Sequence, residues 1–476
     1  MAKGISKALA ANMASAGMGK IAAALLGLAL VALLTRHLGP AGFGDYRAAL
    51  TFLAMASILA NLGLYVVLLR ELGRPGANEP RLIGNALALR VTAAVVVHLL
   101  AMGIAVLLPY TTAVLLAILV GIPGYLAIQG SEILAGACQR HLRQGKVAVA
   151  ETLGVLVTLG LSALAAASGA GVVAMAAAFS MGLLVHLALL AVATAPLVDV
   201  RPRFEPTVWR PLAVAGLPIA GAELIAMILL RGDLLLLSLL QPGQQVGFYA
   251  LASKLFELVL SLAQIFAGLM MPVLAGVSHT PHAFRGQLGE AVRHLAAVIL
   301  VVPLAFLFYG RDLAALLAGP AFAGAGDVLG LIGLAVACTS LSLLFRYAAV
   351  ALEGAGGMLR VDLAVLAVAL VLYPALIWPF GFKGAAAGTL VVNGLTLAGA
   401  VWVVRHRLGG LPGFAYVPSL LLAALAMAVT ATLLKLAGLP WIPAAAISAA
   451  VYAGACLGLG VVRLAQVRAL VGSPGS

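Results

Sequence analysis

The chain has 476 residues, of which 64% are hydrophobic and only 9% are charged, and its mean hydropathy is +1.16. A soluble domain is about half apolar and a quarter charged, so this composition excludes a soluble globular protein and predicts an integral membrane protein. The formal net charge is +13, but most Lys and Arg residues lie in short breaks between apolar runs, where they are typical topology signals. We therefore expect no nucleic-acid partner.

The apolar runs are continuous, about twenty residues long, and do not alternate with polar residues, which predicts membrane-spanning helices. We predict about fourteen spans separated by short loops, which makes the fold class an all-α integral membrane protein. The approximate limits of the predicted spans are 12–35, 44–69, 82–108, 112–137, 147–167, 171–194, 211–239, 247–276, 287–309, 326–350, 360–379, 383–404, 416–437 and 442–464.

The basic residues predict how these spans are oriented. Lys3 and Lys7 precede the first apolar run, which lacks a clean small-residue cleavage site, so a retained first helix is expected. With the N-terminus in the cytoplasm, most basic loop residues fall on the cytoplasmic side, which predicts that both termini are cytoplasmic. The basic residues left at the outer loops and margins are Arg36, Arg47, Arg311, Lys383 and Lys435.

A sequence repeat relates the two halves of the chain. The letters LGP at 38–40 and GDY at 44–46 match LQP at 240–242 and GFY at 247–249, with one residue inserted in the second copy. Six spans separate the copies, so they keep the same orientation, which predicts two parallel, pseudo-symmetric six-helix lobes with a substrate path between them. A weaker match pairs the glycine turn at 169–171 with the one at 381–384.

The repeat also predicts the domain boundaries. We expect an N-terminal lobe at 1–195, a cytoplasmic linker at 196–210, a C-terminal lobe at 211–407, and two extra helices with a cytoplasmic tail at 408–476.

The segment LTRHLGPAGFGDY at Leu34–Tyr46 resembles the opening of bacterial polysaccharide flippases of the Wzx type. These belong to the MOP superfamily, which also holds the MATE drug exporters and the lipid II flippase MurJ. The resemblance implies a MATE-like fold in the bacterial cytoplasmic (inner) membrane and a role in O-antigen or exopolysaccharide biosynthesis. It further implies an undecaprenyl-diphosphate-linked oligosaccharide as substrate, membrane lipids as surroundings, and a polysaccharide polymerase and glycosyltransferases as possible partners.

Several basic residues lie inside predicted spans, where a cationic side chain costs about 2.5–3.5 kcal/mol and is seldom idle. We interpret them, together with Arg47 near the outer end of the second span, as candidate contacts for an anionic head group. The alternatives are an interfacial position for Arg47, snorkelling toward the cytoplasmic side for Arg90, and lobe packing or snorkelling for Arg346. The intramembrane bases are Lys20, Arg90, Arg231, Lys254 and Arg346.

The eighth span carries a polar stripe at helical spacing, which is expected to line the cleft between the lobes. Its equivalent on the second span is thinner, with Arg47, Thr51 and Asn61. An alternative is that the first two residues of the longer stripe neutralise each other as a buried ion pair. That stripe consists of Lys254, Glu257, Ser261 and Gln264.

Three intramembrane acids, Glu223, Asp233 and Glu257, are candidates for coupling transport to a proton or to sodium. Gly232, between Arg231 and Asp233, is a position where the seventh span can loosen so that the two charges converge. The two interpretations left open for this pair are a structural polar knot and a gating or cavity site. In the fourth span, Glu132 is expected to pair with Arg140, Arg143 or Lys146 near the cytoplasmic end.

Together these features predict a transporter and not an enzyme. The favoured function is a flippase that moves the lipid-linked oligosaccharide from the cytoplasmic to the outer leaflet by alternating access through a cationic cleft. The alternative is a MATE-type, cation-coupled multidrug antiporter, which is expected to have an acidic cavity. A membrane polysaccharide polymerase or glycosyltransferase needs a large catalytic loop, which the sequence lacks. No cofactor or metal site is expected.

Overall fold

A computed structural model describes the backbone of residues 2–411 and 413–462, and the side chains of 25–354, 356–411 and 413–462. In this part of the chain all regular elements are helices. They are α1 (Ala2–Asn61), α2 (Leu64–Leu72), α3 (Glu79–Leu107), α4 (Thr112–Arg140), α5 (Gln144–Ala167), α6 (Val172–Thr194), α7 (Pro206–Leu240), α8 (Gly243–Gly276), α9 (Pro281–Ile299), α10 (Val301–Ala318), a 3₁₀ helix (Pro320–Ala325), α11 (Gly326–Ala351), α12 (Ala355–Leu408), α13 (Val417–Leu436) and α14 (Trp441–Gly458).

Within the described residues, 12 helical stretches are long and apolar enough to cross a membrane. Two of them contain a glycine whose backbone is not helical: Gly39 in α1 has φ 66° and ψ 179°, and Gly381 in α12 has φ 57° and ψ −135°. Such angles are open to glycine and interrupt a helix. Dividing the two stretches at these glycines gives fourteen spans, so the predicted all-α membrane fold is confirmed.

The repeated motif lies at a close helix crossing. Gly44 follows the break at Gly39, and a Cβ on Gly44 would overlap the carbonyl oxygen of Gly243 at the start of α8. In the second copy, a Cβ on Gly247 would overlap the carbonyl oxygen of Pro40. Gly44 and Gly247 are equivalent positions of the repeat. Both are glycine because each allows the backbone of the other copy to approach.

By compactness the chain divides into two units, which meet in sequence at Gly247 and Phe248. The first unit therefore contains all of α7, as well as α1–α6. The repeat predicts a second lobe that begins earlier, at 211. The lobe boundaries and the cleft between the lobes stay predictions.

In the first unit, the linker between α6 and α7 is hydrogen-bonded to the first two turns of α3. The Arg203 amide donates to the Gly84 carbonyl at 3.1 Å. The Glu205 carboxylate accepts from Arg81 Nε at 2.7 Å and from Asn85 Nδ2 at 3.2 Å. These hydrogen bonds, first from Arg81 and then from Asn85, lower the pKa of the Glu205 carboxyl. The linker thus fixes the position at which α7 enters the unit.

The predicted second span, 44–69, is interrupted where it meets α7. Leu62 and Gly63 have left-handed backbones, with φ 52° and 61°, and α2 begins at Leu64. Gly63 is held against Ile219 of α7, and a Cβ on Gly216 would overlap the Leu62 carbonyl oxygen. The break and the two glycines bring the end of α1 into backbone contact with α7.

In the second unit, α13 and α14 pack against α9 and α10. Tyr452 of α14 donates to the Ala297 carbonyl at 2.7 Å, and Tyr309 of α10 bonds Ser448 at 3.1 Å. Both tyrosines are buried. The two helices that have no counterpart in the repeat are therefore attached to this unit by buried hydrogen bonds as well as by apolar packing.

The contact between Gly216 and Leu62 can be tested by substitution. Gly216→Ala should lower the thermal unfolding midpoint of the purified protein by several degrees, because overpacking against backbone costs about 1–3 kcal/mol. The matched control is Gly221→Ala on the same helix, where no atom lies within 4 Å of the added methyl. The control should leave the midpoint unchanged or slightly raised, because alanine favours helix. Equal midpoints for the two variants would contradict the close approach.

Candidate functional site

The first unit contains a polar cluster in which a buried arginine, Arg90 of α3, meets the more exposed Glu132 of α4. The Arg90 side chain is only 1% exposed, its Nε donates to Gln129 Oε1 at 2.6 Å, and its Nη2 pairs with the Glu132 carboxylate. Gln129 in turn donates to the Ser57 carbonyl at 3.1 Å. Arg90 is therefore held between α3 and α4, and the alternative of snorkelling to the cytoplasmic surface is wrong.

Glu132 has a different partner from the one expected. It pairs with Arg90, whereas Arg140 pairs with Glu79 at 3.4 Å. The reason is distance along the helix: Glu132 and Arg140 are eight residues apart, roughly 12 Å at 1.5 Å per residue. The same spacing can be counted in the sequence. It places Glu132 deeper in the span than the basic residues at the cytoplasmic end, so it could have indicated an intramembrane acid.

Glu223 of α7 joins the cluster through Asn61, the last residue of α1. Asn61 Nδ2 donates to Glu223 Oε2 at 2.6 Å, and the Glu223 carboxylate interacts electrostatically with both Arg90 and Glu132. The left-handed break directly after Asn61 explains this position, because it presses the end of α1 against α7. Arg90 is therefore ion-paired with Glu132, while Glu223 is hydrogen-bonded to Asn61 and feels the charge of Arg90 without contacting it in a described ion pair.

The polar face of the second span has buried atoms that lack partners. Arg47 is half-buried. Its Nε, the Thr51 hydroxyl and Asn61 Oδ1 have no hydrogen-bond partner among the described residues. A buried polar atom left unpaired costs about 1–3 kcal/mol. Three such atoms on one side of one helix are typical of a surface that a ligand or water completes.

The stripe on α8 is present, and its first two residues form the ion pair considered as an alternative. Lys254 Nζ lies 3.1 Å from Glu257 Oε2, and the two side chains are 39% and 24% exposed. Ser261 and Gln264 are exposed on the same helix, and Ser261 Oγ bonds the Leu258 carbonyl at 2.7 Å. The pair is accessible and not sealed in the core.

On α7, Arg231 is half-buried and Asp233 is 5% exposed. The Asp233 carboxylate accepts from the Leu234 amide at 2.6 Å. The helix runs without a break from Pro206 to Leu240, so the loosening considered at Gly232 does not occur. Arg231 and Asp233 remain candidates at fixed positions on a regular helix.

Arg346 is tied to a partner that sequence reasoning missed. Its Nη1 donates to Asp362 Oδ2 at 3.0 Å, and its Nη2 pairs with the other carboxylate oxygen. This two-pronged ion pair joins α11 to α12 in the second unit. Lys20 lies among residues 1–24, whose side chains are outside the described residues.

The remaining chemistry is limited in the part of the chain that the structure describes. No group of three or more His, Cys, Asp or Glu residues there is placed to hold a metal ion. The motif tyrosines Tyr46 and Tyr249 are buried, at 4% and 0% exposure. Tyr249 bonds Thr389 at 2.7 Å, so its hydroxyl is engaged inside its own unit.

Solved structures with the same fold are transporters and flippases. A structure described as the lipid II flippase MurJ in an inward closed conformation matches with a TM-score of 0.76 and 12% identity, over 92% of this chain and 97% of that one. An inward-facing MATE multidrug resistance transporter of the MOP superfamily matches with a TM-score of 0.65 and 15% identity, over 81% and 94% of the two chains.

A third match is a MOP superfamily transporter from Pyrococcus furiosus, described as having a binding pocket of reversed polarity. Its TM-score is 0.56 at 14% identity, over 85% of this chain and 96% of that one. No curated protein matches by sequence.

The fold shared with these structures and the 12 apolar helical stretches of the described residues define a multi-pass membrane protein. The family profile described as "Polysaccharide biosynthesis protein" matches residues 9–277, which is more than half of the chain. The chain belongs to this polysaccharide biosynthesis protein family, so the membrane and polysaccharide parts of the sequence prediction are confirmed.

The ion pair between Arg346 and Asp362 allows a test of whether Arg346 stabilises the fold, which is a different role from contact with a substrate. Arg346→Ala should destabilise the protein by about 1–3 kcal/mol, because it leaves Asp362 partly buried and unpaired. The double variant Arg346→Ala/Asp362→Ala should recover part of that loss in thermal unfolding. If the single variant unfolds at the wild-type midpoint, the pair does not hold the two helices together.

Proposed function

We propose that the protein is a flippase, which moves an undecaprenyl-diphosphate-linked oligosaccharide from the cytoplasmic to the outer leaflet of the bacterial inner membrane by alternating access. Family membership over residues 9–277 and the fold shared with MOP transporters support a lipid-linked substrate. The observation that carries the proposal is Arg47, a half-buried base in a membrane span whose Nε lacks a partner among the described residues.

The chemistry of the second span suits this substrate. Its polar head must cross about 30 Å of hydrocarbon, so it needs partners inside the membrane. The guanidinium of Arg47 can donate to diphosphate oxygens with charge assistance. The Thr51 hydroxyl and Asn61 Oδ1, which also lack partners among the described residues, are suited to sugar hydroxyls, which both donate and accept hydrogen bonds.

The stripe on α8 offers a second set of contacts. The Lys254 ammonium has three donors, and Glu257 uses one of them in the 3.1 Å pair. The ammonium can therefore contact a phosphate while keeping its acidic partner. The exposed Ser261 and Gln264 extend the same stripe toward the sugars. Arg231 of α7 is a further candidate for the head group.

A cation-coupled drug antiporter is the second candidate, and one observation favours it. The cluster of Arg90, Glu132 and Glu223 has two acids for one base, which suits a cationic ligand better than an anionic one. This candidate predicts that cells producing the protein resist a cationic dye such as ethidium. The flippase proposal predicts no change in resistance.

The flippase proposal is tested in liposomes that hold the purified protein and radiolabelled undecaprenyl-diphosphate N-acetylglucosamine. Flipping is measured as the fraction of sugar that becomes accessible to an added galactosyltransferase. Arg47→Gln should slow flipping about tenfold or more, because a charge-assisted hydrogen bond is worth about 1.5–3 kcal/mol.

The matched control is Arg143→Gln in the first unit, an exposed arginine at the start of α5. Its flipping rate should equal that of the wild type. The proposal fails if the wild type does not flip this lipid faster than protein-free liposomes, or if both variants slow flipping equally. Complementation of a flippase-deficient strain by the same variants checks the result in cells.

We further propose that Glu223 is the coupling residue among the three acidic candidates. Asp233 accepts a backbone amide and Glu257 pairs with Lys254, whereas Glu223 and Glu132 share the field of Arg90. Protonation of Glu223 relieves the repulsion between the two carboxylates, and Arg90 then pairs with Glu132 alone. A change in the contact between Asn61 and Glu223 then links the proton to the α1–α7 junction.

The coupling proposal is tested by imposing a pH gradient across the same liposomes. The gradient should accelerate flipping by the wild type, and Glu223→Gln should flip at a rate that does not depend on the gradient. The conservative control Glu257→Gln should keep the gradient dependence. A gradient response that survives in Glu223→Gln would exclude this residue as the coupling site.

A further inference from the structure

The second unit has a groove between α10, α11 and α13 that the proposed function does not use. It encloses a cavity of about 370 Å³. Its walls are apolar and include Leu304, Leu307 and Leu334. Leu307 and Leu334 are 67% and 43% exposed, so the groove opens to the surroundings of the helices, which in a membrane are lipid chains.

One end of this groove is cationic. Arg311 and Lys435 line it together with Asp327. Asp327 is shared: its Oδ1 lies 2.7 Å from Arg311 Nε and its Oδ2 lies 3.5 Å from Lys383 Nζ. With Lys383 and the sequence neighbour Asp312 included, the three bases still outnumber the two acids. One carboxylate thus serves two cations, and the end of the groove keeps a positive excess.

Lys435 is not neutralised by an acid in the described ion pairs. Its ammonium bonds the Phe308 carbonyl and lies 5.4 Å from the centre of the Tyr309 ring. These contacts orient the ammonium without cancelling its charge, and the side chain is exposed. The Phe308 carbonyl and the Tyr309 ring thus hold the Lys435 ammonium at the cationic end of the apolar groove. An anionic group from outside the chain is favoured at this position.

The sequence adds an independent point. Only five basic residues were assigned to the predicted outer loops and margins. Two of them, Arg311 of α10 and Lys435 of α13, line this groove, and a third, Lys383 of α12, pairs with the groove residue Asp327. Positive charge is normally sparse on that side. Its concentration around one groove calls for a specific anionic partner, because scattered topology signals have no reason to converge.

We propose that this groove binds an anionic phospholipid, with its phosphate near Lys435 and Arg311 and an acyl chain along Leu304, Leu307 and Leu334. Basic pockets between transmembrane helices are suited to anionic lipid head groups, and the apolar walls match an acyl chain. The residues involved belong to neither the second-span face nor the α8 stripe, so the site is separate from the proposed path of the substrate.

The test is native mass spectrometry of the full-length purified protein with an equimolar mixture of phosphatidylglycerol and phosphatidylcholine. The wild type should retain phosphatidylglycerol at least about fivefold more than phosphatidylcholine, as expected for one charge-assisted contact. Lys435→Gln should abolish the preference. Leu334→Trp, which narrows the groove and keeps every charge, should reduce retention of both lipids.

The matched control is Arg405→Gln, an exposed base of the same unit on α12, which should behave as the wild type. Thermal unfolding without added lipid checks that each variant is folded, and Leu334→Trp decides the question if Lys435→Gln is unstable. Equal retention of the two lipids by the wild type would overturn the proposal. So would displacement of phosphatidylglycerol by undecaprenyl diphosphate, because the groove would then belong to the carrier lipid.

Discussion

The constraint on which the structure depends is that a charge inside an apolar helical bundle must be paired or must serve a ligand. Removing charges from water costs several kcal/mol each, and lipid offers no compensation. The described intramembrane charges obey this rule in small groups: Arg90 with Glu132, Lys254 with Glu257, and Arg346 with Asp362. Each group fixes the contact of specific helices or the polar face of one helix. Arg47 differs from these three bases because no described ion pair includes it, and its Nε has no hydrogen-bond partner among the described residues.

Glycine determines where these groups can form. The equivalents Gly44 and Gly247 allow the two copies of the motif to cross at backbone distance, and Gly63 with Gly216 lets α1 touch α7. The second contact has a chemical consequence, because it places Asn61 within 2.6 Å of Glu223. The most recognisable letters of the sequence are therefore packing residues, and the polar residues beside them are the ones suited to a substrate or a coupling ion.

Much of the fold was predictable, and the site was predictable only in part. Apolar runs about twenty residues long give spans reliably, because a helix is the way such a run satisfies its backbone in lipid. The glycine turns at Gly39 and Gly381 were marked by the repeat. Partners across helices were harder: Glu132 was assigned to bases near it in sequence, and Asp362 was missed, since pairing depends on which helices touch and at what height. The break considered at Gly232 is absent because one glycine does not open a helix that its neighbours support.

The sequence by itself determined the membrane class, the number of spans, the repeat and the set of residues able to carry chemistry, because these follow from composition and local periodicity. Only the tertiary structure decided which of those residues neutralise each other and which keep unsatisfied atoms. It moved Arg346 into a helix–helix ion pair, joined Arg90 of α3 to Glu132 of α4, and brought Arg311 and Lys435 to one groove, where Asp327 also pairs with Lys383. The physical reason is that two charges pair when they lie within a few ångströms of each other in space. The number of residues between them in the sequence does not give that distance.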